Sequence, residues 1–266
     1  MATVAFFHAH PDDEAIATGG TMAKLASEGH RVLCLMATKG ELGEVADGFL
    51  QPGEDLWSRR VEETVAAARI LGVTRGEWLG YCDSGMKDEP TNDDPKCFWQ
   101  ADVDEAAERL AAWLREEDVD VLVVYDANGT YGHPDHVQVH RVGVRAAELA
   151  GTPRVYESTY DRDHIRHLMA LARERGMTEF ADGDDNDVAN DPTFGTPGSE
   201  ISTRVDVRGF LDAKRKAMAA HASQISETSF FLAMPDDVFE MTWGTEFYVR
   251  RGAPAGSAED SLVGGL

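Results

Sequence analysis

Apolar runs alternate with amphipathic stretches along most of the 266-residue chain. The run TVAFFH, residues 3–8, predicts a strand buried on both faces, since it is continuously apolar and too short for a core helix. IATGGTMAKLASEG predicts the helix that follows, and RVLCLMAT a second strand. In LWSRRVEETVAAARILGV the apolar residues recur at helical spacing and stop at Gly72, a residue suited to a left-handed C-cap. A strand near EWLGY, a helix over VDEAAERLAAWLREE and a strand over VDVLVVY come next. HVQVHRVGVRAAELAG reads as helix, RVYEST as strand and RDHIRHLMALARERG as helix. A helix around VRGFLDAKRKAMAAHASQI and a last strand, TEFYVRR, close the pattern. This alternation predicts an α/β fold: a single Rossmann-like domain over residues 1–251, with a mostly parallel sheet and helices on both faces.

Two stretches break the pattern. Residues 181–200, ADGDDNDVANDPTFGTPGSE, read as an acidic loop inserted into the domain. Its opening (Asp182, Asp184, Asn186) has calcium-loop spacing, but Asp187 stands where such loops need Gly and Thr193 where they need Glu. A solvated flap is the expectation. Residues 252–266, GAPAGSAEDSLVGGL, read as a disordered C-terminal tail.

Composition narrows the function. A hydrophobic fraction of 42% supports a sizeable core, and 48 Asp and Glu against 25 Lys and Arg give a formal charge of −23. So acidic a surface repels phosphate backbones and anionic headgroups, which argues against nucleic acid or a membrane as partner. Three cysteines without CxxC spacing argue against a disulfide framework and for a reducing compartment. MATVAFF lacks a basic leader region and no apolar run is long enough to span a bilayer, so the expected location is cytoplasmic. A homo-oligomer is left open.

The candidate chemistry falls at the carboxyl ends of two predicted strands, the edge where α/β sheets bind ligands. HAHPDDE follows the first strand and YGHPDHVQVH follows VDVLVVY. His10 and Asp13, three apart across a turn stiffened by Pro11, can converge on one cation, with His136 as a third ligand. Two His and one carboxylate with a position left for water is the donor set of a catalytic zinc site. Asp12, facing away from Asp13, is then placed as general base. His133 could stabilise an oxyanion or protonate a leaving group, with Asp135 fixing its ring. An HxH pair of His8 and His10 is the competing metal geometry, although His8 suits a packed strand end. His140 suits a supporting role, and Glu14 suits the first helical turn. Nucleotide cradles, a G-x-S-x-G elbow and an activated cysteine are absent from the sequence.

AHPDDE paired with HPDH resembles the LmbE-like, or PIG-L, family of zinc-dependent N-deacetylases. ATKGELGE, RRVEE, GYCDSGM and KRKAMAAHASQI are also similar to that family. The resemblance implies zinc on His10, Asp13 and His136, with iron(II) equally suited to such a site. It also implies Asp12 as base, His133 as electrophilic or acid partner and Asp135 as its orienter. Tyr131 matches an oxyanion-stabilising tyrosine, and Arg60 and Asp83 match contacts to a sugar-bearing substrate. The expected activity is removal of acetyl from a soluble small-molecule amino-sugar substrate of the N-acetylglucosaminyl type. Amide cleavage of a mycothiol-like thiol conjugate is the enzymatic alternative, and a metal- or sugar-binding module without turnover is the other.

Overall fold

A computed structural model describes residues 1–176, 191–254 and 256–266. Seven strands form one sheet: β1 (Thr3–His8), β2 (Arg31–Met36), β3 (Arg75–Trp78), β4 (Val121–Tyr125), β5 (Arg154–Thr159), β6 (Thr203–Asp206) and β7 (Thr245–Arg250). The helices are α1 (Asp13–Ala17), α2 (Gly19–Ser27), α3 (Leu56–Leu71), α4 (Val103–Glu116), α5 (Gly129–Gly132), α6 (Pro134–Ala150), α7 (Arg162–Glu174), α8 (Leu211–Ala220), α9 (Phe230–Ala233) and α10 (Asp236–Trp243).

Strand order is β3-β2-β1-β4-β5-β7-β6, and the first five are mutually parallel. β7 runs antiparallel to both β5 and β6. The order reverses between β1 and β4, which opens a crevice beyond their carboxyl ends. Alternation along the strands divides the core in two. Val4, Phe6, Val32, Cys34 and Val123 face one layer, whereas Ala5, Phe7, Leu33, Leu35 and Val124 face the other. The first layer packs against α2 and α8, and the second against α4 and α6. Burial on both faces is why the interiors of β1, β2 and β4 are continuously apolar in the sequence. Gly72 and Gly151 end α3 and α6 with φ of 75° and 72°, the left-handed caps that glycine adopts without a Cβ penalty.

The structure departs from the expectations in three places. The helix drawn over residues 16–29 begins earlier, at Asp13, and is broken at Thr18. β6, α9 and α10 had no sequence prediction, because TRVD is only four residues long and alternates buried with exposed. The disordered tail is corrected: Glu259 forms an isolated parallel bridge with Thr203, and its carboxylate accepts from Thr203 Oγ1 at 3.0 Å, Arg250 Nε at 2.8 Å and Tyr156 OH at 3.1 Å. Leu262 is buried in the first core layer. A small-residue, acidic composition signals disorder only when its few large side chains find no partners, and these do. Of the acidic loop, residues 181–190, with Asp182, Asp184, Asn186 and Asp187, lie outside the described residues. Phe194 stacks on Tyr160, and Gly195 donates to the Thr130 carbonyl at 2.9 Å. Among the described residues no helix is long and apolar enough to cross a membrane.

Candidate metal centre and active site

The two polar clusters meet in the crevice between β1 and β4. HAHPDDE leaves β1 and turns into α1, while His133 N-caps α6, Pro134 takes its first helical position, and Asp135 and His136 occupy its first turn. Both approaches are strained. Asp12 has φ of 104° and Thr130 has φ of 63° with ψ of −57°, regions that non-glycine residues avoid unless surrounding structure holds them there. Gly129, at φ of 64°, is packed so closely that a Cβ would stand 2.6 Å from both the His136 Cβ and the Val137 nitrogen.

Asp13 is the hub. Its Oδ2 lies 3.5 Å from His10 Nδ1 and 3.4 Å from His136 Nε2, and it accepts the His10 backbone N–H at 2.9 Å. Donor atoms on a tetrahedral ion with bonds of about 2.0–2.1 Å stand about 3.3 Å apart, close to both of these distances from Asp13, although the clusters whose ligating atoms all converge within 4.8 Å do not include Asp13. The His136 ring is also held from behind, stacked on Tyr125 at 4.3 Å and 10°. Two overlapping sets, His10 with His133 and His136, and His10 with Asp83 and Asp135, bring metal-ligating atoms within 4.8 Å of one another.

The remaining polar atoms hold these ligands in place. His10 Nε2 lies 3.1 Å from Asp135 Oδ2, and since a carboxylate only accepts, that nitrogen donates, which leaves Nδ1, on the Asp13 side, as the atom that would give up its proton to meet a metal. Asp135 is completely buried and is itself fixed by the Ser84 hydroxyl and by the Ser84 amide at 3.0 Å. Asp135, expected to fix the His133 ring, turns its carboxylate to His10, and the contact to His133 comes from its backbone. That backbone N–H donates to His133 Nδ1 at 3.1 Å. A neutral His133 consequently presents Nε2–H.

Arg60 also differs from a ligand contact. Its guanidinium donates to the Gly40 carbonyl at 2.7 Å and to the Pro11 carbonyl, and stands 3.4 Å from Asp12 Oδ2, so it props the loop bearing Asp12. Asp83 is 3.5 Å from His10 Nε2 and accepts from the Gly85 and Leu42 amides. Tyr131 is half exposed, with its hydroxyl 3.5 Å from His136 Nε2.

The electrostatics follow from burial. Desolvation pushes the Asp12 carboxyl up to about 7, against the pull of Arg60. Asp13 moves the other way: His136 and His10 overcome desolvation and hold it well below the usual carboxylate range. Burial opposes protonation of His10, but the Asp83 charge and the carboxylate hydrogen bonds outweigh it and raise its pKa well above the usual value. His133, buried and beside His10 and His136, is lowered to about 3 and stays neutral. His8, buried, is lowered to about 4; it bonds Tyr125 OH at 2.8 Å and Thr18 Oγ1 at 3.0 Å, a packed strand-end histidine. His140 likewise supports, with Nδ1 at 2.9 Å from the Tyr125 carbonyl.

Sequence reasoning missed two contributors. His221, which caps the end of α8, places Nε2 2.6 Å from Glu14 Oε1, while Glu14 Oε2 accepts the Asp12 N–H at 3.0 Å. Ser84 secures Asp135. Both lie in stretches noted for family likeness, KRKAMAAHASQI and GYCDSGM, but no local spacing reveals partners from distant parts of the chain. Asp12, Asp13, Tyr125, Tyr131 and His136 form one wall of a cavity of about 610 Å³.

Comparison with known proteins places the chain in a family. Residues 5–147 match the PIG-L family, described as GlcNAc-PI de-N-acetylase. The 1D-myo-inositol 2-acetamido-2-deoxy-alpha-D-glucopyranoside deacetylase of Thermomonospora curvata is 40% identical, covering 99% of this chain and 96% of that protein. The protein of the same description from Acidothermus cellulolyticus is 40% identical over 97% and 93%. Among solved structures, N,N'-diacetylchitobiose deacetylase from Pyrococcus horikoshii has a TM-score of 0.56 at 24% identity over 93% of this chain and 83% of that one, a likeness of fold. The chain belongs to the PIG-L family of de-N-acetylases.

Proposed function

We propose that this protein is a zinc-dependent N-deacetylase, built on a Rossmann-like frame, that hydrolyses the acetamide of 1D-myo-inositol 2-acetamido-2-deoxy-α-D-glucopyranoside. The observation that carries the reading is Asp13 Oδ2 standing 3.5 and 3.4 Å from ring nitrogens of His10 and His136, with Asp12 next to it on the cavity wall. The substrate follows from relatives 40% identical along nearly the whole chain.

His10, Asp13 and His136 would hold the metal. Zinc in such a set acidifies water to a pKa of about 7 and polarises an amide carbonyl, and iron(II) suits the same donors. Asp12 takes the proton of the attacking water and returns it to the amine nitrogen as the C–N bond breaks. Positioned proton transfer of this kind contributes roughly 10²–10⁴ in rate. His133 Nε2–H and the Tyr131 hydroxyl donate to the oxyanion; each such donor is worth about 10²–10³. Ser84 and Asp135 keep His10 in its metal-binding tautomer, and Arg60 holds Pro11 and Asp12 in place. Asp83, with one oxygen turned to His10, would receive a sugar hydroxyl.

Acetate release from the GlcNAc-inositol substrate tests the reading. Wild-type enzyme is expected to turn over, and Asp12→Ala to keep its metal while losing at least 10²-fold in kcat. Full activity in Asp12→Ala with normal metal content would remove Asp12 from the mechanism. A wild-type protein that releases no acetate would overturn the function.

A further inference from the structure

The cavity that opens at the metal ligands is much larger and far more apolar than an acetyl group requires. Beyond Asp13 and His136 its walls come from α7, α9 and α10, and include Ile165, Met169, Phe230, Phe231, Met241 and Trp243. Arg175, the charged side chain at that end, is paired with Asp237 at 2.9 Å. A space of about 610 Å³ is far more than an acetyl methyl fills, and its apolar walls offer few partners to the hydroxyls of a sugar. It falls instead in the range of pockets that enclose whole ligands.

We infer that this cavity is an acyl-chain pocket, and that the enzyme hydrolyses glucosaminyl amides bearing unbranched acyl chains of about six to eight carbons at least as well as the acetamide. The inference rests on the amide-hydrolase reading above. Its direction comes from amide geometry. A secondary amide is planar and trans, so the acyl carbon and the amine substituent leave the reacting carbonyl on opposite sides. Asp83 and His10 are not among the residues that line the cavity; Asp83 accepts from the Leu42 and Gly85 amides and stands 3.5 Å from His10 Nε2, a polar side of the site. With the sugar on that polar side, the acyl chain points into the cavity between α7 and α10. The balance is ordinary hydrolysis: water supplies the new C–O bond, the C–N bond breaks, an alkanoate leaves, and the proton held by Asp12 ends on the amine.

Two measurements on the metal-loaded full chain test it. Calorimetric binding of acetohydroxamate, hexanohydroxamate and octanohydroxamate is expected to tighten by about three- to fourfold per added methylene, as burial of a CH₂ predicts. Affinity independent of chain length, or falling with it, overturns the pocket whether or not any substrate is hydrolysed. The kcat/KM ratio of N-octanoyl to N-acetyl glucosaminyl-inositol is expected to be at least one, and Met169→Trp, which fills the cavity from a half-buried position, to lower it at least tenfold. A ratio far below one in the wild type, or one untouched by Met169→Trp, contradicts the proposal. Acetamide left intact while the hydroxamates tighten with length would refute the deacetylase reading and leave the pocket standing.

Discussion

Glu14 and His221, 207 positions apart, form a buried pair at 2.6 Å, and the second oxygen of Glu14 accepts the backbone N–H of Asp12 at 3.0 Å. The pair anchors Asp12 in its left-handed conformation from the end of α8. Burial alone would lower the His221 pKa, yet Glu14 raises it, so the contact is ionic. His221→Ala leaves Glu14 buried and unpaired, a loss of about 3–5 kcal/mol in stability. It is expected to lower kcat about 10–100-fold with metal content per chain unchanged, read by elemental analysis beside steady-state kinetics. Unaltered kcat would show that Asp12 holds its position without the pair.

Ser84→Ala removes the hydroxyl donor to Asp135 and loosens its grip on His10. Loss of a partner behind a metal ligand costs about 10–100-fold in affinity. Competition with a chelator should reveal that loss in Ser84→Ala. Wild-type affinity in the variant would mean that Asp135 needs only the Ser84 amide.

Asp12 serves as base only when ionised, and burial pushes its carboxyl up to about 7 in the metal-free protein. A cation beside it favours ionisation, so the acidic limb of kcat/KM is expected at or below pH 7, rising tenfold per unit below its midpoint. The profile, measured at saturating metal, should lack that limb in the residual activity of Asp12→Asn. An identical limb in wild type and variant would assign the titration to another group.

His8 gives a stability prediction of definite sign. Its folded pKa is lowered to about 4 against the usual 6.5, so between these values the unfolded chain binds the extra proton. The stability contributed by a neutral His8 is therefore complete above pH 6.5 and is lost as pH falls toward 4, by up to about 3 kcal/mol. Denaturant unfolding of the metal-stripped enzyme should show a shallower loss between pH 6.5 and 4 in His8→Gln than in wild type. Equal slopes would place the acid sensitivity elsewhere.

The clusters around His10 and His136 were legible because each is contiguous in sequence and follows a strand whose carboxyl end the apolar pattern locates. The parallel core was legible for the same reason: β1, β2 and β4 are buried on both faces and carry no ambiguous positions. What stayed hidden is non-local. Nothing near Asp135 indicates that its carboxylate turns to His10 and Ser84 and only its amide to His133. Arg60 looks from its helix like an exposed partner of Glu63, yet it faces inward to Pro11 and Gly40. β6 and the segment around Glu259 are ordered by contacts with each other, which composition does not reveal.

The central claim is metal-dependent hydrolysis of an acetamide. Its most direct test is acetate release from 1D-myo-inositol 2-acetamido-2-deoxy-α-D-glucopyranoside by native, chelator-stripped and zinc-restored enzyme. The account predicts turnover by the native protein, its loss on stripping and its return with about one zinc per chain. Acetate release that survives complete removal of metal, or none from the restored enzyme, would contradict it.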